Sequence, residues 1–193
     1  MKGLIGILMM FWTFANKAQI IDDFEEGDLV KDSLWIASNQ SGRGMDFVIT
    51  HGELNSDGPS RSGTLFIATE LAISSQATEL SWEFYVRYEN RPSGSNHVKV
   101  YLLSDRVDLN NDPKGYYLKM GESGSNDGID LYHTSSNIPL ISDPMNRIAE
   151  GIGVRIQVFR SSTGEWILKT LSSESLDTIT LGAALDTRPI SSG

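Results

Sequence analysis

Leu80 to Tyr132 reads LSWEFYVRYENRPSGSNHVKVYLLSDRVDLNNDPKGYYLKMGESGSNDGIDLY. Four runs in it alternate apolar and polar residues: Leu80-Trp82-Phe84-Val86-Tyr88, Val98-Val100-Leu102, Tyr116-Leu118-Met120 and Ile129-Leu131. Successive side chains of a strand point to opposite faces, so a period of two marks half-buried β-strands. The intervening Asn90-Arg91-Pro92-Ser93-Gly94, Asp112-Pro113-Lys114-Gly115 and the segment Gly121 to Gly128 are turn formers, because Pro presets φ and Gly or Asn tolerates positive φ. The stretch therefore predicts an antiparallel sheet with polar connections.

Working outward, Phe47-Val48-Ile49 and Leu65-Phe66-Ile67-Ala68 predict short strands, with a polar loop from His51 to Gly63 between them. After Tyr132, Ser135 to Ala149 reads as loop. Val154-Ile156-Val158 and Trp166-Leu168 alternate around Ser161-Ser162-Thr163-Gly164, the pattern of a hairpin. A last strand is expected at Ile179 to Leu181. About ten to twelve short strands in all fit an all-β fold of two packed antiparallel sheets. One domain suffices for 193 residues.

The ends carry separate information. Met1-Lys2 is a basic start, Leu4 to Phe14 an apolar run, and Ala15-Asn16-Lys17-Ala18 a small-residue stretch ahead of Gln19. That is the layout of a secretory signal peptide over residues 1 to 18, with cleavage expected after Ala18, or after Ala15. The apolar run is about half the ~20 residues that a membrane span needs. Removal takes away Lys2 and Lys17, moving the formal charge from −9 by two, to −11. The chain is thus expected to be exported, to the medium or the cell surface. Residues 19 to 193 form the β domain, and the polar Ser191-Ser192-Gly193 reads as stopping before the last strand or strands of a sandwich.

Charge and composition narrow the chemistry. An acidic chain does not favour nucleic acid as a partner. There is no Cys, which excludes disulfides, thiolate zinc sites and thiol catalysis. His51, His97 and His133 show no metal-binding spacing. Near the start, Asp22, Asp23, Glu25 and Asp28, with Glu26, surround a turn before Trp35, and their hard oxygens could hold a structural calcium, the one cofactor the sequence offers. A solvated acidic turn is the alternative.

Several motifs occur together in one order: Trp82-Glu83-Phe84-Tyr85-Val86, Pro92-Ser93-x-Ser95-Asn96, Val100-Tyr101-Leu102-Leu103-Ser104-Asp105, Gly115-Tyr116-Tyr117-Leu118-Lys119-x-Gly121-Glu122, Ile129-x-Leu131-Tyr132, Arg160 and Gly164-x-Trp166. As a set, over roughly residues 19 to 190, they resemble the N-terminal module of secreted Bacteroidota surface proteins that carry lamin-tail-like domains and a C-terminal sorting signal. The resemblance implies a concanavalin A-like, laminin-G-like jelly-roll sandwich, usually without known activity. Asp32-Ser33-Leu34 and Asp177-Thr178-Ile179 are similar to the O-glycosylation acceptor of exported proteins from that phylum.

Two readings of the main block compete with passive scaffolding. A retaining glycosidase needs two carboxyl groups about 5–5.5 Å apart. Glu83 and Glu89 share a face but stand six residues, or about 20 Å, apart along a strand, and Asp130 is alone on its strand. No nucleophile elbow or phosphate loop is present, so no catalytic residue is expected. The binding reading rests on parity. If Trp82, Phe84 and Val86 point inward, Glu83, Tyr85 and Arg87 point outward. Lys99, Tyr101, Tyr117, Lys119, Asp130 and Tyr132 follow by the same rule. That predicts one outward face with four tyrosines among charged groups, suited to glycan or protein ligands or to adjacent domains. The plainer alternative is that the second sheet covers this face and the tyrosines belong to the core. A spacer domain without ligand would then be the function.

Overall fold

The computed structural model describes residues 35–40, 45–57, 63–70, 79–90, 92–122, 127–143, 147–171 and 177–188, together with Asp22, Phe24, Leu29, Gly42 and Met145. The expected leader lies outside the described residues. Among those described, the fold is all-β, with eleven strands and no helix. They are β1 (Ile36–Ala37), β2 (Phe47–Thr50), β3 (Glu53–Ser56), β4 (Ile67–Ala68), β5 (Leu80–Arg87), β6 (Val98–Ser104), β7 (Gly115–Met120), β8 (Ile129–His133), β9 (Gly153–Arg160), β10 (Glu165–Leu171) and β11 (Thr178–Leu185). Four antiparallel sheets result: β1-β4, β2-β3, β6-β7-β8 and β11-β10-β9-β5.

The two larger sheets share one core. Tyr116, Leu118 and Met120 of β7 and Ile129 and Leu131 of β8 are buried in the same cluster as Ile156 and Val158 of β9 and Trp166 and Leu168 of β10. The Tyr116 ring lies 4.5 Å from that of Trp166, which in turn stacks on Trp82 at 5.8 Å. Fully burying one such large apolar side chain stabilises by roughly 1.5–3 kcal/mol, so this layer dominates the fold. Tyr88, just past β5, ties the sheets together with polar bonds. Its hydroxyl donates to the Met120 carbonyl and accepts from the Val98 N–H, both at 2.9 Å.

Three local expectations change. The loop from His51 to Gly63 contains β3, because His51 and Gly52 both take positive φ (56° and 74°) and close a two-residue hairpin. The strand expected over Leu65 to Ala68 narrows to β4, since Phe66 bonds Ser38 through its carbonyl at 2.8 Å and its N–H at 3.0 Å. The last strand is longer than Ile179 to Leu181 and pairs with β10 along its length, with a register shift after Leu168. The β9–β10 hairpin stands where the alternation put it. A further constraint fixes the start of β7: Gly115 has φ 154°, and a Cβ there would sit 1.9 Å from the Leu103 carbonyl oxygen.

Candidate functional site

The nine residues expected on one face divide between two. Tyr85, Glu83 and Arg87 alternate outward on β5, in the four-stranded sheet. Lys99, Tyr101, Tyr117, Lys119, Asp130 and Tyr132 belong to the three-stranded sheet, on the side opposite Tyr116, Leu118 and Leu131. Both sets point away from the shared core, and hence away from each other. The single four-tyrosine face is corrected to two faces. Parity fixes a side chain relative to its own strand but does not say which sheet the strand joins. The four-stranded sheet packs against the other side of β7 and β8.

On the four-stranded sheet, Glu83, Tyr85 and Arg87 are each engaged by neighbouring residues. Glu83 accepts from Gln157 at 2.8 Å, its direct cross-strand partner, and from Arg155 at 2.9 Å. These bonds, Gln157 first, hold its carboxyl below the usual range. Arg87 pairs with Glu53 at 2.5 Å, fastening the β2-β3 hairpin, and reaches Glu89 at 3.8 Å. Tyr85 is 52% exposed, yet its ring lies across Gly153, whose absent Cβ leaves the space. This is an aromatic covering a strand glycine diagonally across the pair.

The face on the three-stranded sheet is built in two rows by the register. Lys99 opposes Lys119, which opposes Asp130; two residues along, Tyr101 opposes Tyr117, which opposes Tyr132. A bulge at Leu102 follows the tyrosine row and sets Leu103 opposite Tyr116, with Leu102 and Leu103 both buried in the core. Tyr117 and Tyr132 are nearly parallel, 10° at 5.4 Å, and Tyr101 tilts by 34° at 5.2 Å from Tyr117. Parallel rings at that spacing are offset-stacked, with faces turned toward one another. The faces of Tyr117 and Tyr132 are thus turned toward one another. Burial pushes the Tyr101 and Tyr117 hydroxyls up, and burial with the Asp130 carboxylate beside it pushes Tyr132 up to about 12. All three are therefore neutral phenols at physiological pH.

Asp130 and Tyr132 are less outward than parity implies, at 5% and 9% exposed. The chain after β8 returns along its edge, bridging Leu131 to Ile141, and the Asp143 N–H bonds the Asp130 carboxylate at 2.9 Å. Burial raises the Asp130 pKa, although that bond opposes the shift. Lys119 reaches Glu122 at 3.5 Å, and Lys99 lies 5.1 Å over the Tyr117 ring.

Of the calcium candidates, Asp23, Glu25 and Asp28 lie outside the described residues. Asp22 uses one oxygen for the Phe24 N–H at 2.8 Å and the other for the Trp35 indole N–H at 2.5 Å. Among the described residues no cluster of three metal-ligating side chains forms. Asp32-Ser33-Leu34 also lies outside; Thr178 is exposed at the start of β11.

One constellation was not expected. Arg188 donates to the Asp186 carboxylate, to His133 Nδ1 at 2.8 Å and to Ser135 Oγ at 2.6 Å, where the end of β8 meets the end of β11. Because Nδ1 accepts, the ring is neutral with its proton on Nε2; burial and then Arg188 lower its pKa. It fastens the two sheets at one end. Compared with protein-family models, curated proteins and solved structures, the chain matches none.

Proposed function

We propose that this chain is a non-catalytic module of an exported cell-surface protein, a jelly-roll sandwich of concanavalin A-like type that binds a glycan on the outer face of its three-stranded sheet. The leader pattern and the resemblance to secreted surface modules support the export and the fold type. The observation that carries the binding reading is the paired rows Lys99–Lys119–Asp130 and Tyr101–Tyr117–Tyr132 on a face turned from the core. Neutral phenols and ammonium groups are hydrogen-bond donors to sugar oxygens. A catalytic reading has no such support, because Glu83 is held by Arg155 and Gln157.

The near-burial of Tyr132 and Asp130 favours a second reading, a spacer that packs this face on a neighbouring domain or protein. Glycan-array binding by the full chain separates the two. Binding that falls at least ten-fold in Tyr101→Ala and Tyr117→Ala, and holds in Tyr85→Ala on the opposite face, is the expected result. No binding to any glycan leaves the spacer.

A further inference from the structure

The register that forms the rows sets two like charges directly opposite each other, Lys99 and Lys119. Such a pair, with Cβ atoms about 4.5–5.5 Å apart, destabilises a sheet. The two ammonium groups leave in different directions: Lys119 to the Glu122 carboxylate and Lys99 over the Tyr117 ring. Lys99 is exposed and is held by a ring rather than by a carboxylate. An anionic group between the two cations would offset their mutual repulsion.

We propose, resting on the glycan reading above, that the ligand is an acidic saccharide of uronate type, its carboxylate between Lys99 and Lys119 and its hydroxyls on the tyrosine row. Two residues of strand separate the rows by about 7 Å, a step that one sugar ring with its carboxylate arm can cover. Lys99 and Lys119 only donate and the neutral phenols of Tyr101 and Tyr117 can donate, which matches an oxygen-rich anion, while the Asp130 carboxylate opposite Lys119 accepts from the Asp143 N–H. The chain's overall −9 opposes densely charged polyanions, but beyond about 8–10 Å that field is screened at physiological salt. One carboxylate per sugar at contact distance meets the local lysines.

The test measures binding of the full chain to oligogalacturonate, to the neutral oligogalactan of equal length and to polyglutamate. Expected is at least ten-fold tighter binding of oligogalacturonate than of oligogalactan. Lys99→Gln, an exposed change confirmed as folded by circular dichroism, should lose that preference, its oligogalacturonate affinity falling about ten-fold further than its galactan affinity. Equal binding of the two oligosaccharides, both lost in Tyr117→Ala, overturns the uronate assignment and leaves the glycan reading intact. Polyglutamate competing equally well overturns it in favour of an acidic peptide. Absence of binding to all three, and to a glycan array, overturns both.

Discussion

The outer faces of the two large sheets contain the same kinds of residue and behave differently. On the four-stranded sheet, Glu83 meets Gln157 and Arg155, Arg87 meets Glu53, and Tyr85 covers Gly153. Glu83 and Tyr85 are met from β9 of the same sheet, and Arg87 from the β2-β3 hairpin. On the three-stranded sheet, cross-strand pairing brings lysine against lysine and tyrosine against tyrosine. Residue type therefore does not decide how such a surface is paired. Register does, because it sets Lys99 against Lys119 and Tyr101 against Tyr117 on one sheet and Glu83 against Gln157 on the other.

The comparison breaks first if the two faces are not separated by a common core. Trp166→Ala removes the fully buried ring that touches Tyr116 of one sheet and Trp82 of the other. A loss of about 4 kcal/mol in urea denaturation is expected, the range for a buried aromatic cut to alanine. A loss below about 1 kcal/mol would mean that the sheets do not depend on each other.

Tyr88 sharpens the comparison from the connection between sheets. Tyr88→Phe leaves the Val98 N–H and Met120 carbonyl without their partner, costing about 2 kcal/mol. Burial pushes its hydroxyl up to about 12, from 10.0. Between those values the unfolded chain has lost the proton and the folded chain keeps it, so stability falls as pH rises from about 10 toward 12. Tyr132, also about 12, acts in the same direction. Alkaline denaturation monitored by fluorescence should show a shallower fall in Tyr88→Phe and the shallowest in the double variant with Tyr132→Phe. An unchanged alkaline slope in both would place these hydroxyls in water.

How much of this was legible in sequence follows the range of each interaction. The alternation of Trp82-Phe84-Val86 and of Val154-Ile156-Val158 gave strands and inward faces, since period two is a property of one strand. The β9–β10 hairpin was legible because its turn is local. The allotment of β5 to one sheet and β6, β7 and β8 to another was not, so Tyr85 was grouped with Tyr117. β3 was hidden because His51 is an unusual residue for a positive-φ turn position. Arg188 and His133 stand 55 residues apart, and no spacing rule joins two strand ends on different sheets. The lysine and tyrosine rows needed only the right register, and their residues were on the expected list.

The smallest effects test how much the contacts on the outer face of the four-stranded sheet contribute to stability. Tyr85→Ala should cost about 0.5–1 kcal/mol by uncovering Gly153, the scale of a cross-strand pair. Glu83→Gln should cost less, about 0.3 kcal/mol, since an exposed ion pair gains little in water. Its partners hold the Glu83 carboxyl below 4.5, so the folded state binds its proton more weakly than the unfolded chain. That contribution is present above about pH 4.5 and is lost as pH falls through the folded value. The difference between wild type and Glu83→Gln in urea midpoint should therefore be measurable at pH 7 and shrink steadily as the pH is lowered below 4.5. A difference that acidification leaves unchanged would trace to shape, and the Glu83 charge would then contribute nothing to closing this face.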